Sequence, residues 1–552
     1  MKKTLLIILV LLFQNLFSKS ITETQKLTAT CKIWGFLKYY HPNVADGSKN
    51  WDEQLFQVLP KVEQAKSAEE FSLVIENWIV SLGEVKVYKA TEPVKKGNIF
   101  DKNFNLSWIS KNELFAKSLS KSLKFIEENR IQLNQYYVGF QTDNPNKVSL
   151  EFRNEIKYTD FTWKDKNLRI LALFRYWNYV EYFFPYKYQM DQNWDTTLNE
   201  ILPKIIEPVS DKDFALAMRE IAIKLNDTHA DTTSKIMYEE CFGNKFAPVN
   251  IKIINEKAII TTLLNDSIAK IDDLQVGDVV TKVDGKTIAE IIEEKKNIVE
   301  GSNPAAVLRN FNFHIFSGNS DNVQIEFIRD DKIAIKTIQR YSYQNLKVEF
   351  KDKEKWKFLE NNVAYINLSA IDENDVPVMM DQFKNAETII FDVREGSNGV
   401  NYAIAEYLNP APKEFVKFID VDLNYPGKFI WRSTPETCGK INADYYKGKV
   451  IVLVNEGTQS HAEYTVMTFQ SAPNTKVIGS QTAGADGGVI FFPIIKGYSS
   501  KFTSYGVFYP NKKETQRIGI VPDIEVKPTI LGIQQGKDEV LERAIFFAKN
   551  GK

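Results

Sequence analysis

Hydrophobic and polar positions follow three different rhythms along this chain, and each predicts its own kind of structure. Over residues 21–90 and again over 166–245, aromatic and aliphatic residues recur at helical spacing, with Trp34 and Tyr39 in the first stretch and Trp177 and Tyr182 in the second. Both stretches predict small helical bundles whose aromatic stripes form the core. Each holds an Asn-Trp-Asp turn, a second helix expected to end at Leu59-Pro60 or Leu202-Pro203, and a third starting near Phe71 or Phe214. From about Pro248 to Tyr343 the rhythm shortens to β segments: Val249 to Ile254, Ala258 to Thr262, Val279 to Val283 and Val323 to Ile328. From Val363 onward, apolar runs at Val363 to Leu368, Thr388 to Val393 and Val450 to Val454 alternate with helical segments, which indicates an α/β layered domain.

The two helical stretches are copies of one another. A shift of 143 residues lays Trp34 on Trp177, Tyr39 on Tyr182, Pro42 on Pro185, Asn50-Trp51-Asp52 on Asn193-Trp194-Asp195, and Leu59-Pro60-Lys61 on Leu202-Pro203-Lys204. So many matches at one offset mark an internal duplication. The copies part where they end. Leu82-Gly83-Glu84-Val85-Lys86 in the first corresponds to Leu225-Asn226-Asp227-Thr228-His229 in the second, so His229 stands where the first copy has Lys86. A histidine in a polar loop of only one copy is a candidate for chemistry rather than packing. Residues 91–165, between the copies, mix polar turns with strand-like pieces at Gln135 to Phe140 and Lys147 to Phe152 and carry no functional signal.

The apolar run Val450 to Val454 breaks at Asn455-Glu456-Gly457-Thr458-Gln459 and resumes as a helical segment, with Ser460 at the junction. A serine there can be a nucleophile, because the first N–H groups of a helix have no partner within it and its dipole favours an oxyanion. The same Ser460-His461-Ala462-Glu463 is also a capping box, in which the serine only ends the helix. His461 is no base for Ser460, since neighbours on a helix do not face each other.

Composition narrows the field. The 552 residues exceed one core, and a soft prior of about 150 residues per domain asks for three or four units. The net charge of −1 gives no field for nucleic acid or an anionic membrane. Lys2 and Lys3, the apolar run Leu5 to Phe13, and Ser18-Lys19-Ser20 read as a secretory signal peptide over residues 1–20, so the mature chain is expected to be exported, periplasmic or extracellular, with no membrane span. Cys31, Cys241 and Cys438 are too few and too far apart for a disulfide framework or a zinc site, so no metal or cofactor is expected. Among the four histidines, His41, His229, His314 and His461, the triplet Phe311, Phe313 and Phe316 around His314 reads as packing.

Leu274 to Lys286 places a Gly-Asp turn before a strand and an Asp-Gly turn after it, and this middle unit resembles a PDZ domain, which binds peptide ends by strand addition. The order of this unit, Asp392-Val393-Arg394, Asn455 to Glu463, Gly479-Ser480-Gln481-Thr482-Ala483-Gly484, and Gly519-Ile520-Val521-Pro522-Asp523 resembles the C-terminal processing (tail-specific) peptidases and tricorn-type serine peptidases. The resemblance covers nearly everything after about residue 165. It implies a multidomain α+β protein: signal peptide 1–20, first helical repeat 21–90, mixed region 91–165, second helical repeat 166–245, PDZ-like unit 246–343, and a ClpP/crotonase-like α/β catalytic domain 344–552.

Carried over by position, the resemblance makes Ser460 the nucleophile. Ala485 stands where the processing peptidases carry a lysine, so it is the tricorn branch, with a histidine from the helical region preceded by serine, that fits; here the pair is Thr228-His229. The late glutamate of that branch falls at Gln516, with Glu514 two residues earlier, and either can complete the relay; Thr228 with Asp227 or Glu514 would orient the imidazole. One oxyanion donor is expected at the His461 N–H and a second at Gly396 or Gly399. The implied substrates are peptides or unfolded proteins. The alternative is a peptide- or small-ligand-binding member of the same fold without catalysis.

Overall fold

The computed structural model describes residues 21–88, 96–132, 135–141, 149–349 and 352–551. The expected signal peptide at 1–20 lies outside the described residues. Among those described, no helix is long and apolar enough to cross a membrane.

The two helical stretches fold as repeats of one unit. Helices Glu23–Tyr40, Trp51–Gln64 and Ala68–Ser81 form the first, and Lys166–Phe183, Trp194–Ile206 and Asp211–Ile223 the second. Equivalent side chains cap equivalent helices: Asn50 and Asn193 the second of each set, Ser67 and Ser210 the third. In each copy two indoles donate to one another's backbone carbonyls, Trp34 with Trp51 and Trp177 with Trp194, and the ring centroids are 6.2 Å apart in both. The copies meet closely, and a Cβ on Gly35 would lie 1.7 Å from Asn178 Oδ1. Only glycine fits there.

One local expectation fails in the same way in both copies. The second helices do not stop at the prolines but run through Pro60 to Gln64 and through Pro203 to Ile206. An interior proline costs a helix about 3 kcal/mol. Tertiary contacts offset it: Val62 and Ile205 are fully buried, Lys26 donates to the carbonyls of Glu63 and Ala65, and Arg169 donates to those of Ile205 and Ile206. These cations satisfy carbonyls that a helix end leaves without partners. The described residues between 97 and 165 add to the same core, where Phe152 of the strand Ser149–Phe152 stacks on Tyr179 at 3.9 Å.

The middle unit is an antiparallel sheet in the order Lys332–Gln339, Asn322–Arg329, Val279–Val283, Lys257–Leu263, Val249–Ile254, with the helices Ile288–Lys295 and Pro304–Phe311. His314 stacks on Phe242 at 4.1 Å, and burial lowers its pKa to about 3.

The C-terminal domain is built on a sheet ordered Trp356–Leu359, Val363–Asn367, Thr388–Asp392, Lys449–Val454, Thr475–Gly479, Ile524–Glu525, parallel except for its first strand. The strand Thr388–Asp392 is buried throughout, which is why it reads as a continuous apolar run rather than an alternating one. Helices Asp375–Phe383, Asn401–Leu408 and His461–Gln470 cover one face, and Glu539–Asn550 packs on the other. The loops leaving the C-terminal ends of the central strands, after Asp392, Val454 and Gly479, converge at one edge, where open α/β sheets place their ligands.

The helical body and this domain are joined by a small sheet. The strand Asp231–Thr233 pairs with Tyr498–Thr503, which pairs in turn with Val489–Ile495. The residue two places before that first strand is His229.

Candidate active site

The turn between Val454 and the helix His461–Gln470 is tied at each step. Asn455 Oδ1 accepts from the Gly457 N–H at 2.8 Å, the Asn455 N–H donates to the Thr458 hydroxyl at 3.2 Å, and that hydroxyl donates to Val393 O at 3.3 Å. At its end Ser460 has φ 56° and ψ −124°. A non-glycine residue there is strained, and such strain persists only where the surroundings over-determine it. The surroundings are Ala485 O, which accepts the Ser460 N–H at 3.0 Å, and Glu463 Oε2, which accepts the same N–H at 3.2 Å.

Glu463 is the hub of this corner. Its carboxylate, 2% exposed, accepts from the Gly484 N–H at 2.8 Å, the Ala485 N–H at 3.0 Å and the Thr482 hydroxyl. Burial raises its pKa, and these bonds oppose the rise. The Ser-x-x-Glu spacing read as a capping box therefore clamps the serine turn to the glycine-rich loop. Gly479, where that loop leaves its strand, has φ 138°, and a Cβ there would lie 1.9 Å from Val454 O.

The His461 N–H opens the helix and has no acceptor among the described residues. Of the two glycines expected beside it, Gly396 donates its N–H to Val393 O at 3.1 Å, whereas a Cβ on Gly399 would be 4.0 Å from His461 Nε2. The strand end before them is held by Arg394, which bridges Asp392 and Asp538 through bonds of 2.6 to 2.9 Å.

His229 is 7% exposed. Its Nδ1 lies 2.9 Å from the Thr503 hydroxyl and 3.9 Å from Asp227 Oδ1. Burial lowers the imidazole pKa, while Asp227 pulls the other way. Asp227 accepts from the backbone N–H of His229 at 3.1 Å and of Thr503 at 2.9 Å, and from Gln516 Nε2 at 3.3 Å. The structure thus gathers His229, Asp227, Thr503 and Gln516 into one buried set. Glu514 stands apart, accepting from Tyr188 at 2.7 Å and Gln189 at 2.9 Å and pairing with Lys102 at 3.3 Å. Thr228 turns away from the imidazole, its hydroxyl 2.9 Å from that of Ser302.

Continuous contacts link this set to Ser460. Ser302 bonds Thr228, and its neighbour Asn303 donates to Thr482 O and Ala483 O at 2.9 and 3.1 Å. Ala483 donates to Thr458 O, and Ala485 O holds Ser460. Two residues on, a Cβ at Gly487 would be 3.0 Å from Thr503 Cγ2, beside the hydroxyl that holds His229. Arg309 spans both halves: it donates to Glu456 O at 3.2 Å and Gln459 Oε1 at 2.8 Å, and its charge also lowers the His229 pKa. Thr503, Ser302, Asn303 and Arg309 had no sequence signal, because only the folded chain brings them to residues 229 and 460. Among the described residues no cluster of histidine, cysteine, aspartate or glutamate is arranged to hold a metal ion, and Cys31, Cys241 and Cys438 are free thiols.

A mostly parallel sheet with helices on both faces, presenting a strained serine at a helix start, is an α/β layered domain. Residues 362–526 match the family model of peptidase family S41. The matched stretch lies within the C-terminal sheet domain, from the strand Val363–Asn367 to the strand Ile524–Glu525. Among solved structures it is similar to mature CPAF in complex with lactacystin, with a TM-score of 0.55 and 14% identity over 70% of this chain and all (100%) of that one. The photosystem II D1 C-terminal processing protease matches at TM-score 0.39 and 15% identity over 68% and 98% of the two chains, and the tricorn protease at 0.33 and 14% over 72% and 37%. At these identities the likeness to CPAF is one of fold. No curated protein matches the chain by sequence.

Proposed function

We propose that this protein is an exported serine peptidase in which Ser460 attacks a peptide carbonyl and His229 takes its proton. The observation that carries this reading is the strip Ala485–Gly487, whose one end holds the backbone of Ser460 and whose other end lies against Thr503, the Nδ1 partner of His229. With Nδ1–H donated to the Thr503 hydroxyl, Nε2 keeps its lone pair for the serine proton and later returns it to the leaving amine. Asp227 stabilises the imidazolium that forms. It takes the place that sequence position alone would give to Gln516 or Glu514, and Gln516 supports it by donating to the same carboxylate. The His461 N–H and the Gly399 N–H hold the oxyanion, since the Gly396 N–H is already engaged by Val393. The middle unit, read as PDZ-like, presents extended peptide to this site, and its Arg309 fixes the serine turn.

The experiment is labelling of the folded chain with a fluorophosphonate together with cleavage of an unfolded protein. Modification at Ser460 and loss of cleavage in Ser460→Ala and His229→Ala support the reading. Variants as fast as the parent sink it. The second reading, a binding protein of the same fold, is favoured by Gln516 and Ala485 standing where the resemblance to the tricorn-type and processing peptidases implies glutamate and lysine. It predicts no labelling and retained peptide binding.

A further inference from the structure

A cavity of about 600 Å³ opens beside the small sheet that follows His229, and none of Ser460, His229, Thr503 or Asp227 lines it. Its walls are the end of the hairpin at residues 493–499, the segment 155–159 and the segment 233–238. Arg175 lies at its base and ties two of these walls together, donating from Nη1 to Ile156 O at 3.1 Å and to Ile494 O at 3.0 Å. That guanidinium is already balanced within the protein, by Asp52 at 2.5 Å and Glu155 at 3.3 Å, so it serves as a brace and not as a ligand.

The lining is largely apolar, from Ile156, Tyr238, Pro493 and Ile495, and two of these residues keep unusual exposure for their size, Ile156 at 43% and Tyr238 at 48%. Three lysines line it, Lys157, Lys235 and Lys496. Lys235 has Glu239 at 3.4 Å, whereas Lys157 and Lys496 are exposed and have no acidic partner among the described residues. A braced cavity of this volume matches the size of small-ligand sites, and its apolar lining with unpaired positive charge defines what it can hold. A small dianion alone would leave the apolar walls wet, and a cation would meet like charge.

We propose that this cavity binds a small amphipathic carboxylate, with an apolar chain against Ile156, Tyr238 and Ile495 and the carboxylate between Lys157 and Lys496. Two sources share that chemistry, a fatty acid and the apolar end of a short peptide. Calorimetric titration of the full chain with sodium decanoate in one arm and N-acetyl-leucyl-leucine in the other distinguishes them, and decyltrimethylammonium is the charge control. Saturable one-to-one binding of at least one carboxylate is expected, without binding of the ammonium compound. A Lys157→Glu, Lys496→Glu double variant is expected to weaken it tenfold or more, and Ile156→Trp, which fills the cavity while keeping the lysines, to weaken it likewise. The proposal is overturned if neither carboxylate binds, if the ammonium compound binds as tightly, or if both variants bind as the parent does. The readout is binding, so it stands apart from whether Ser460 is a nucleophile.

Discussion

His229 Nδ1 and the Thr503 hydroxyl lie 2.9 Å apart, a contact between residues 274 positions distant in the chain. The hydroxyl takes the position next to the imidazole that a carboxylate would otherwise fill, and Asp227 stands behind it at 3.9 Å from the same nitrogen. The ring is therefore oriented by a neutral partner and stabilised by a charge one step removed.

If Thr503 orients the base, Thr503→Val leaves the imidazole without its Nδ1 partner. The expected result is a fall in kcat of about tenfold or more with KM little changed, and recovery in Thr503→Ser. Steady-state kinetics on an unfolded substrate measure both. A KM effect alone would show that Thr503 shapes binding instead.

Ser460 carries backbone strain that glycine would not. Ser460→Gly is expected to be more stable than Ser460→Ala by about 1 kcal/mol, with both inactive. Urea unfolding of the two variants gives the difference. Equal midpoints would mean that the turn relaxes in solution.

Gln516, 1% exposed, donates to Asp227. Gln516→Glu replaces that donor with a second buried carboxylate, and a loss of about 2 kcal/mol is expected at neutral pH. The loss should shrink on acidification as the new carboxyl takes up a proton. Thermal melts at pH 7 and pH 5 provide the comparison.

His41 is fully buried, both ring nitrogens lack partners among the described residues, and burial lowers its pKa to about 4. The unfolded chain binds this proton near pH 6.5 and the folded chain only near pH 4, so between those values the unfolded state holds more protons. Stability should thus be complete above pH 6.5 and decline as pH falls towards 4, by about 3 kcal/mol from this residue. His41→Gln should flatten that slope in denaturant titrations across the window. If His229 is the general base, its lowered pKa keeps the neutral form below the ordinary imidazole value, and the acid limb of kcat/KM should fall below pH 6.5.

The sequence by itself determined the elements and their kinds. Helical spacing and the match of Trp34 with Trp177 revealed two copies of one helical unit, because such repeats preserve their core positions. The run Val450 to Val454 followed by Ser460 revealed a buried strand entering a helix, because local pattern and turn chemistry are short-range properties. Tertiary structure decided the rest. Pro60 and Pro203 stay within helices because Lys26 and Arg169 reach their last carbonyls from other helices. The resemblance put the late glutamate's position at Gln516 and left Glu514 as the alternative, and the fold separates them by sending Glu514 to Tyr188 and Gln516 to Asp227. No pattern along the chain encodes Thr503 beside His229, since that contact exists only where the strand Asp231–Thr233 pairs with Tyr498–Thr503, and strand pairing is a long-range interaction.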